Sequence, residues 1–141
     1  MESDYEAQRS RILDLIDHER YEEALSAFEG LSVTWKKKGR LIIARGDCFY
    51  ELGKDVEALE CYLWYVKVFP QGFARNFALF GAAICLKNLD LQEEALKLLE
   101  RIDDGHEGKQ KELAHSRDIL ARQKEARKLV DDYLAQAPDK I

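Results

Sequence analysis

Three cysteines, three histidines and several pairs of adjacent carboxylates are the residues of this 141-residue chain best equipped for chemistry. Their spacing assembles none. Cys48, Cys61 and Cys85 form no CxxC pair and are odd in number; each sits among apolar neighbours, where cysteine behaves as a small hydrophobe. His106 and His115 are nine residues apart, which does not place them on one helix face as a metal-binding i, i+4 pair would be, and His18 falls in a turn between helices. No histidine stands beside a cysteine and an acid in a pattern that suggests a nucleophilic triad. Gly39, Gly46 and Gly53 recur by sevens along a helical hairpin, and Gly105 and Gly108 bracket a turn, so no phosphate-binding loop is present. The pairs Glu22–Glu23, Glu93–Glu94 and Asp103–Asp104 fall in first helical turns or loops, where carboxylates favour helix starts or face water. The expectation is a protein that is not an enzyme, with no catalytic, metal or cofactor-binding residues.

The elements that position these residues are helices. Hydrophobic residues make up 46% of the chain and charged ones 35%, which excludes disorder and fits a helical domain large enough to bury a core. The only prolines are Pro70 and Pro138, leaving long stretches without a helix breaker. A net charge of −5 argues against nucleic acid as a partner, and Lys36–Lys37–Lys38–Gly39–Arg40, the one basic cluster, reads as a solvated loop. No run approaches the length of a membrane span, and the acidic start Met1–Glu6 lacks the apolar core of a signal peptide. With three unpaired thiols, this makes a cytoplasmic protein with no membrane partner the expectation.

Apolar periodicity predicts seven helices. The first runs from about Asp4 to His18 on a stripe of Ile12, Leu13, Leu15 and Ile16, and the second from Tyr21 to Leu31, with Trp35 packing in the connection that follows. The third spans Gly39 to Leu52 and stops at Gly53, which tolerates the left-handed conformation. Asp55 is the expected cap of the fourth, which ends near Phe69, before Pro70. The fifth, Phe73 to Leu89, is apolar nearly all round; Asp90 is the expected cap of the sixth, which ends near Ile102. The seventh, Lys109 to Gln136, would be about 42 Å long. Ile119, Ala126, Val130, Tyr133 and Ala137 give it a thin apolar stripe suited to covering the last repeat.

The stretch Gly46–Asp47–Cys48–Phe49–Tyr50–Glu51–Leu52–Gly53, then Glu57–Ala58–Leu59–Glu60–Cys61–Tyr62 and Pro70, spaces small and aromatic residues as one helix-turn-helix repeat. Partial echoes flank it at Tyr21–Leu25 and Gln92–Leu96; Ala24 to Ala58 is 34 residues and Ala58 to Ala95 is 37. Gly46, Phe49, Gly53, Ala58, Tyr62 and Pro70 resemble the tetratricopeptide repeat family, although Arg45 and Asp55 stand where leucine and tyrosine are common. The resemblance implies an all-α, right-handed superhelix of about three such hairpins over residues 4–104 (about 4–36, 39–72 and 74–107), followed by a C-terminal capping helix over 109–137.

The resemblance also implies a protein–protein interaction module, an adaptor or chaperone, whose concave groove takes a partner's peptide or helix. Its register places Arg9, Arg40, Ile43, Asp47, Tyr50, Arg75, Leu79 and Ala82 toward that groove. Arginines beside apolar surface would suit a peptide of alternating hydrophobic and acidic side chains. Leu13, Ala44 and Leu79 stand where repeats that hold the carboxylate tails of heat-shock chaperones carry polar groups, which argues against that role. In size, acidity and outline the chain is similar to the type III secretion chaperones that hold translocator proteins. The competing expectation is a structural subunit. The helix over 56–69 is apolar nearly all round, so Trp64 on its convex face is either covered by helix seven or the Trp35 loop, or contacts a second copy as a homodimer would.

Overall fold

The computed structural model describes residues 2–31 and 38–136. The Trp35 connection, Lys36 and Lys37 of the basic cluster, Ala137 and Pro138 lie outside the described residues. The described residues are all-α: α1 (Glu2–Asp17), α2 (Tyr21–Glu29), α3 (Gly39–Glu51), α4 (Asp55–Val68), α5 (Arg75–Asn88), α6 (Gln92–Glu100) and α7 (Lys109–Gln136), with no strand among them. Each helix packs on its neighbours in sequence, the contact pattern of a linear array.

One turn recurs three times. Glu19, Gly53 and Asp90 adopt positive φ angles of 59°, 74° and 62°. The next amide in each case, that of Arg20, Lys54 or Leu91, reaches back 2.8 Å to the carbonyl of Leu15, Phe49 or Leu86 and closes the preceding helix. The carbonyl of that same residue then accepts from Ala24, Ala58 or Ala95 at 3.0 Å and starts the next helix. All three alanines are fully buried, because a larger side chain there would hold the paired helices apart. Asp55 and Asp90 are not the caps the sequence suggests. The capping positions belong to Lys54 and Leu91, neither of which makes a side-chain cap, and Asp90 is the left-handed residue that ends α5.

The core is continuous from α1 to α5 through Ile12, Leu15, Phe28, Leu41, Ile42, Cys61, Tyr65 and their neighbours. A second cluster joins α5, α6 and α7 through Leu79, Ala83, Leu86, Ala95, Leu99 and Leu113. Helix α5 serves both. At 100° per residue, Ala78, Ala82 and Cys85 share the side turned to the first cluster, and Leu79, Ala83 and Leu86 the side turned to the second. Phe77, Phe80, Gly81 and Ile84 remain on the third side.

Helix α7 keeps its expected bounds but covers the array only with its first half. Lys109, Leu113 and Ser116 are buried. The Lys109 ammonium donates to the Ile102 carbonyl at 2.5 Å and to Asp104 at 2.7 Å, and Lys87 on α5 bonds Glu112. From Lys124 to Gln136 every residue is exposed.

Candidate functional site

Each of the first helices, α1, α3 and α5, sends one residue to the same cleft at a fixed step: Ile16, Tyr50 and Ile84, separated by 34 and 34 residues. With Tyr21, Asp47, Glu51, Tyr62, Phe77, Phe80 and Gly81 they enclose about 450 Å³. The 37-residue step between Ala58 and Ala95 therefore does not displace the cleft. The three additional residues fall after Ile84: from the cleft residue to the left-handed turn is three residues in α1 and α3 (Ile16 to Glu19, Tyr50 to Gly53) but six in α5 (Ile84 to Asp90). The turn that ends α5 thus lies most of a helical turn farther from its cleft residue, while the helix itself is 14 residues long against 13 in α3 and 16 in α1.

Tyr62 of α4 forms the floor. Its ring lies between two glycines, one on each flanking helix. A Cβ on Gly46 would stand 3.0 Å from one edge of the ring, and a Cβ on Gly81 would stand 3.0 Å from the other. The hydroxyl donates to Asp47 Oδ1 at 2.5 Å, fixing both side chains. Burial pushes the Asp47 carboxyl above its ordinary value; the Tyr62 hydrogen bond acts against this, and Glu51 adds to it. Burial, and then the bond to Asp47, push the Tyr62 phenol up, so it stays a donor. Phe77 and Tyr50 are the exposed apolar wall, at 51% and 38% accessibility.

Of the groove residues expected from sequence, Asp47 and Tyr50 line this cleft. Leu79 and Ala82 do not: they are 2% and 0% exposed, on the sides of α5 turned to the two cores. Ile43 is buried in the first core. Arg9 is half-buried 3.9 Å from Glu6 on α1, away from the lining. The Arg40 guanidinium stacks 5.5 Å from the Phe73 ring centroid, and Arg75 donates to Asn76 and to the Arg101 carbonyl at a separate polar cleft with Gln71 and Asp103. Phe77, Phe80, Gly81 and Ile84 were missed because the third repeat was aligned one or two residues late. The spacing Ile16–Tyr50–Ile84 carried the correct register.

The cleft's polarity is consequently the reverse of the expectation. Its charged groups among the described residues are Asp47 and Glu51, and no cation is among its described lining residues. The described lining residues also include no imidazole, thiol or aliphatic hydroxyl. What it presents is apolar and aromatic surface with an acidic edge.

A second, smaller cleft of about 260 Å³ lies between α3 and α4, lined by Ile42, Arg45, Phe49, Glu57, Glu60, Cys61 and Trp64. The Arg45 guanidinium sits 5.2 Å from the Phe49 ring centroid. Trp64 is 37% exposed and Leu63 39%. Helix α7 packs on α6 and leaves this face of α4 open. Cys48, Cys61 and Cys85 are buried free thiols, pushed up by burial to about 12, 11 and 12.

No group of histidine, cysteine and acidic side chains among the described residues could hold a metal ion, and no helix among them is long and apolar enough to cross a membrane. Compared with known protein families and with curated proteins, the chain matches none.

Proposed function

We propose that this protein is a tetratricopeptide-like interaction module, an adaptor or chaperone, whose cleft between α1, α3 and α5 takes an apolar segment of a protein partner. The observation that carries the reading is the ladder Ile16–Tyr50–Ile84: three helices of a linear array each contribute one apolar side chain to one cleft at a 34-residue step. Apolar clefts with a few placed polar groups are where such partners seat, and here the polar groups are carboxylates. The segment that fits carries two or three apolar side chains and a lysine or arginine directed at Asp47 and Glu51. Three buried free thiols support a reducing, cytoplasmic setting. The likeness to the translocator-holding chaperones rests on outline alone, so the proposal stops at an adaptor or chaperone.

A displayed library of random peptides tests this without knowledge of the partner. Selection on the intact chain should enrich sequences with spaced apolar residues and a basic residue, and Phe77→Asp should abolish their capture. Peptides that bind Phe77→Asp as well as the unaltered chain would place recognition elsewhere. The exposed Trp64 and Leu63 support a second reading, a structural subunit that self-associates through α4. It predicts that Trp64→Glu, and not Phe77→Asp, changes the assembly state.

A further inference from the structure

The cleft is one end of a longer face. On α3, Arg40, Asp47 and Glu51 stand at i, i+7 and i+11, which at 100° per residue puts all three within about 40° of one another. Asp47 and Glu51 line the cleft, and Arg40 stands about 10 Å along the axis from Asp47, toward the start of the helix. Its guanidinium lies 5.5 Å from the ring centroid of Phe73, which is 81% exposed and precedes Phe77 of the cleft wall by four residues. Phe73, Phe77 and Tyr50 thus carry exposed aromatic surface from a cation at one end to two carboxylates at the other. A guanidinium held over a ring still presents in-plane N–H groups to an anion.

The neighbouring helices keep the two ends distinct. By the 34-residue step of the ladder, Glu6 and Arg9 of α1 stand level with Arg40 and Ile43; they pair at 3.9 Å and cancel. Asp17 stands level with Glu51 and adds to the acidic end. The residues of α5 and its cap level with Arg40, Asp47 and Glu51 are Ala74, Gly81 and Cys85, which carry no charge. We propose that this face reads charge order: the partner segment sets a carboxylate against Arg40 and a lysine or arginine against Asp47 and Glu51, with its apolar side chains over Phe77 and Tyr50 between them. The two charges of the ligand stand about 10 Å apart, roughly seven residues on a helical segment and three on an extended one. A uniformly basic segment, which would satisfy the cleft alone, meets Arg40 with a like charge and is disfavoured. The proposal rests on the reading of the cleft as a binding site and adds the acidic end of its ligand.

Charge reversal decides it, using the most strongly enriched peptide of the library selection and fluorescence anisotropy to read its affinity. The enriched sequences should carry an acid as well as a base, at one of the two spacings. Arg40→Glu should weaken binding about three- to tenfold. Replacing the peptide's acid with lysine should weaken its binding to the parent and restore its binding to Arg40→Glu. Both effects should shrink at about 1 M salt, as a loss of packing would not. Arg40 is exposed, so Arg40→Glu should keep the helical circular dichroism of the parent, and Arg40→Gln should bind with intermediate affinity. Enriched peptides without an acid overturn the proposal. So does Arg40→Glu binding as the parent does, or a loss that the lysine peptide fails to repair. Peptides that depend on Phe77 and ignore Arg40 remove this inference and leave the function proposed above; a selection that enriches none removes both.

Discussion

Replacing Tyr62 with phenylalanine isolates the polar contact at the floor of the cleft. The ring stays packed between Gly46 and Gly81, so apolar burial is unchanged and only the hydroxyl's bond to Asp47 is lost. A hydrogen bond to a charged acceptor contributes about 1.5–3 kcal/mol, and its removal strands a half-buried carboxylate, so a loss of about 2 kcal/mol is expected near neutral pH. The loss should depend on pH in a definite sense. Burial already raises the Asp47 carboxyl above its ordinary 3.8, and the Tyr62 bond is what opposes that rise. A raised folded-state value is a cost of ionisation: fully present above that value, and relieved as pH falls through it toward the unfolded one. In Tyr62→Phe the value rises further, so the variant should recover stability on acidification faster than the parent. Urea denaturation followed by circular dichroism should give a difference of about 2 kcal/mol near pH 7 and a smaller one near pH 4.5. An equal difference at both pH values, or less than about 0.5 kcal/mol at pH 7, would refute the reasoning.

Four other outcomes follow from the same geometry. Glu19 holds a left-handed conformation without being glycine, so Glu19→Gly should stabilise the protein by up to about 1 kcal/mol, while Gly53→Ala should cost about the same; thermal melts of the two should move in opposite directions. Gly81→Ala pushes a methyl against a Tyr62 ring that Gly46 confines from the other side; overpacking should outweigh the gain in helix propensity, for a net loss of about 1 kcal/mol by urea titration. The thiols of Cys48, Cys61 and Cys85, pushed up to about 12, 11 and 12, should react slowly with a disulfide reagent near pH 8 and promptly once urea unfolds the chain. Ending the chain after Gln123 removes only exposed residues of α7 and should move the melting temperature of the dilute protein by less than about 2 °C.

Much of the architecture was legible because its signals are local. Gly53 marked the end of α3, and the Lys109–Gln136 stripe gave α7 its bounds. The caps were misread because these helices start from a shared backbone turn: Arg20, Lys54 and Leu91 supply carbonyls with no side-chain cap, so an aspartate nearby was no guide. The cleft was half legible. The expected register steps 35 or 36 residues from Arg40, Ile43 and Asp47 to Arg75, Leu79 and Ala82, whereas the cleft keeps a step of 34, so Leu79 and Ala82 stand in place of Phe77, Phe80, Gly81 and Ile84. The arginines were misleading for another reason. Arg40 and Arg75 are held by Phe73 and the Arg101 carbonyl, contacts between residues far apart in the chain that no periodicity encodes. The free end of α7 was equally hidden, since a stripe of Val130, Tyr133 and Leu134 reads the same whether it is covered or open.

The central claim is that the cleft under Ile16, Tyr50 and Ile84 is where a partner seats. Titrating the most strongly enriched library peptide into isotope-labelled protein, and following its amide resonances, tests this most directly. The account predicts saturable shifts centred on Ile16, Asp47, Tyr50, Gly81 and Ile84, with Trp64 and Cys61 unmoved. Shifts centred on Arg45, Cys61 and Trp64, with Gly81 and Ile84 silent, would contradict it.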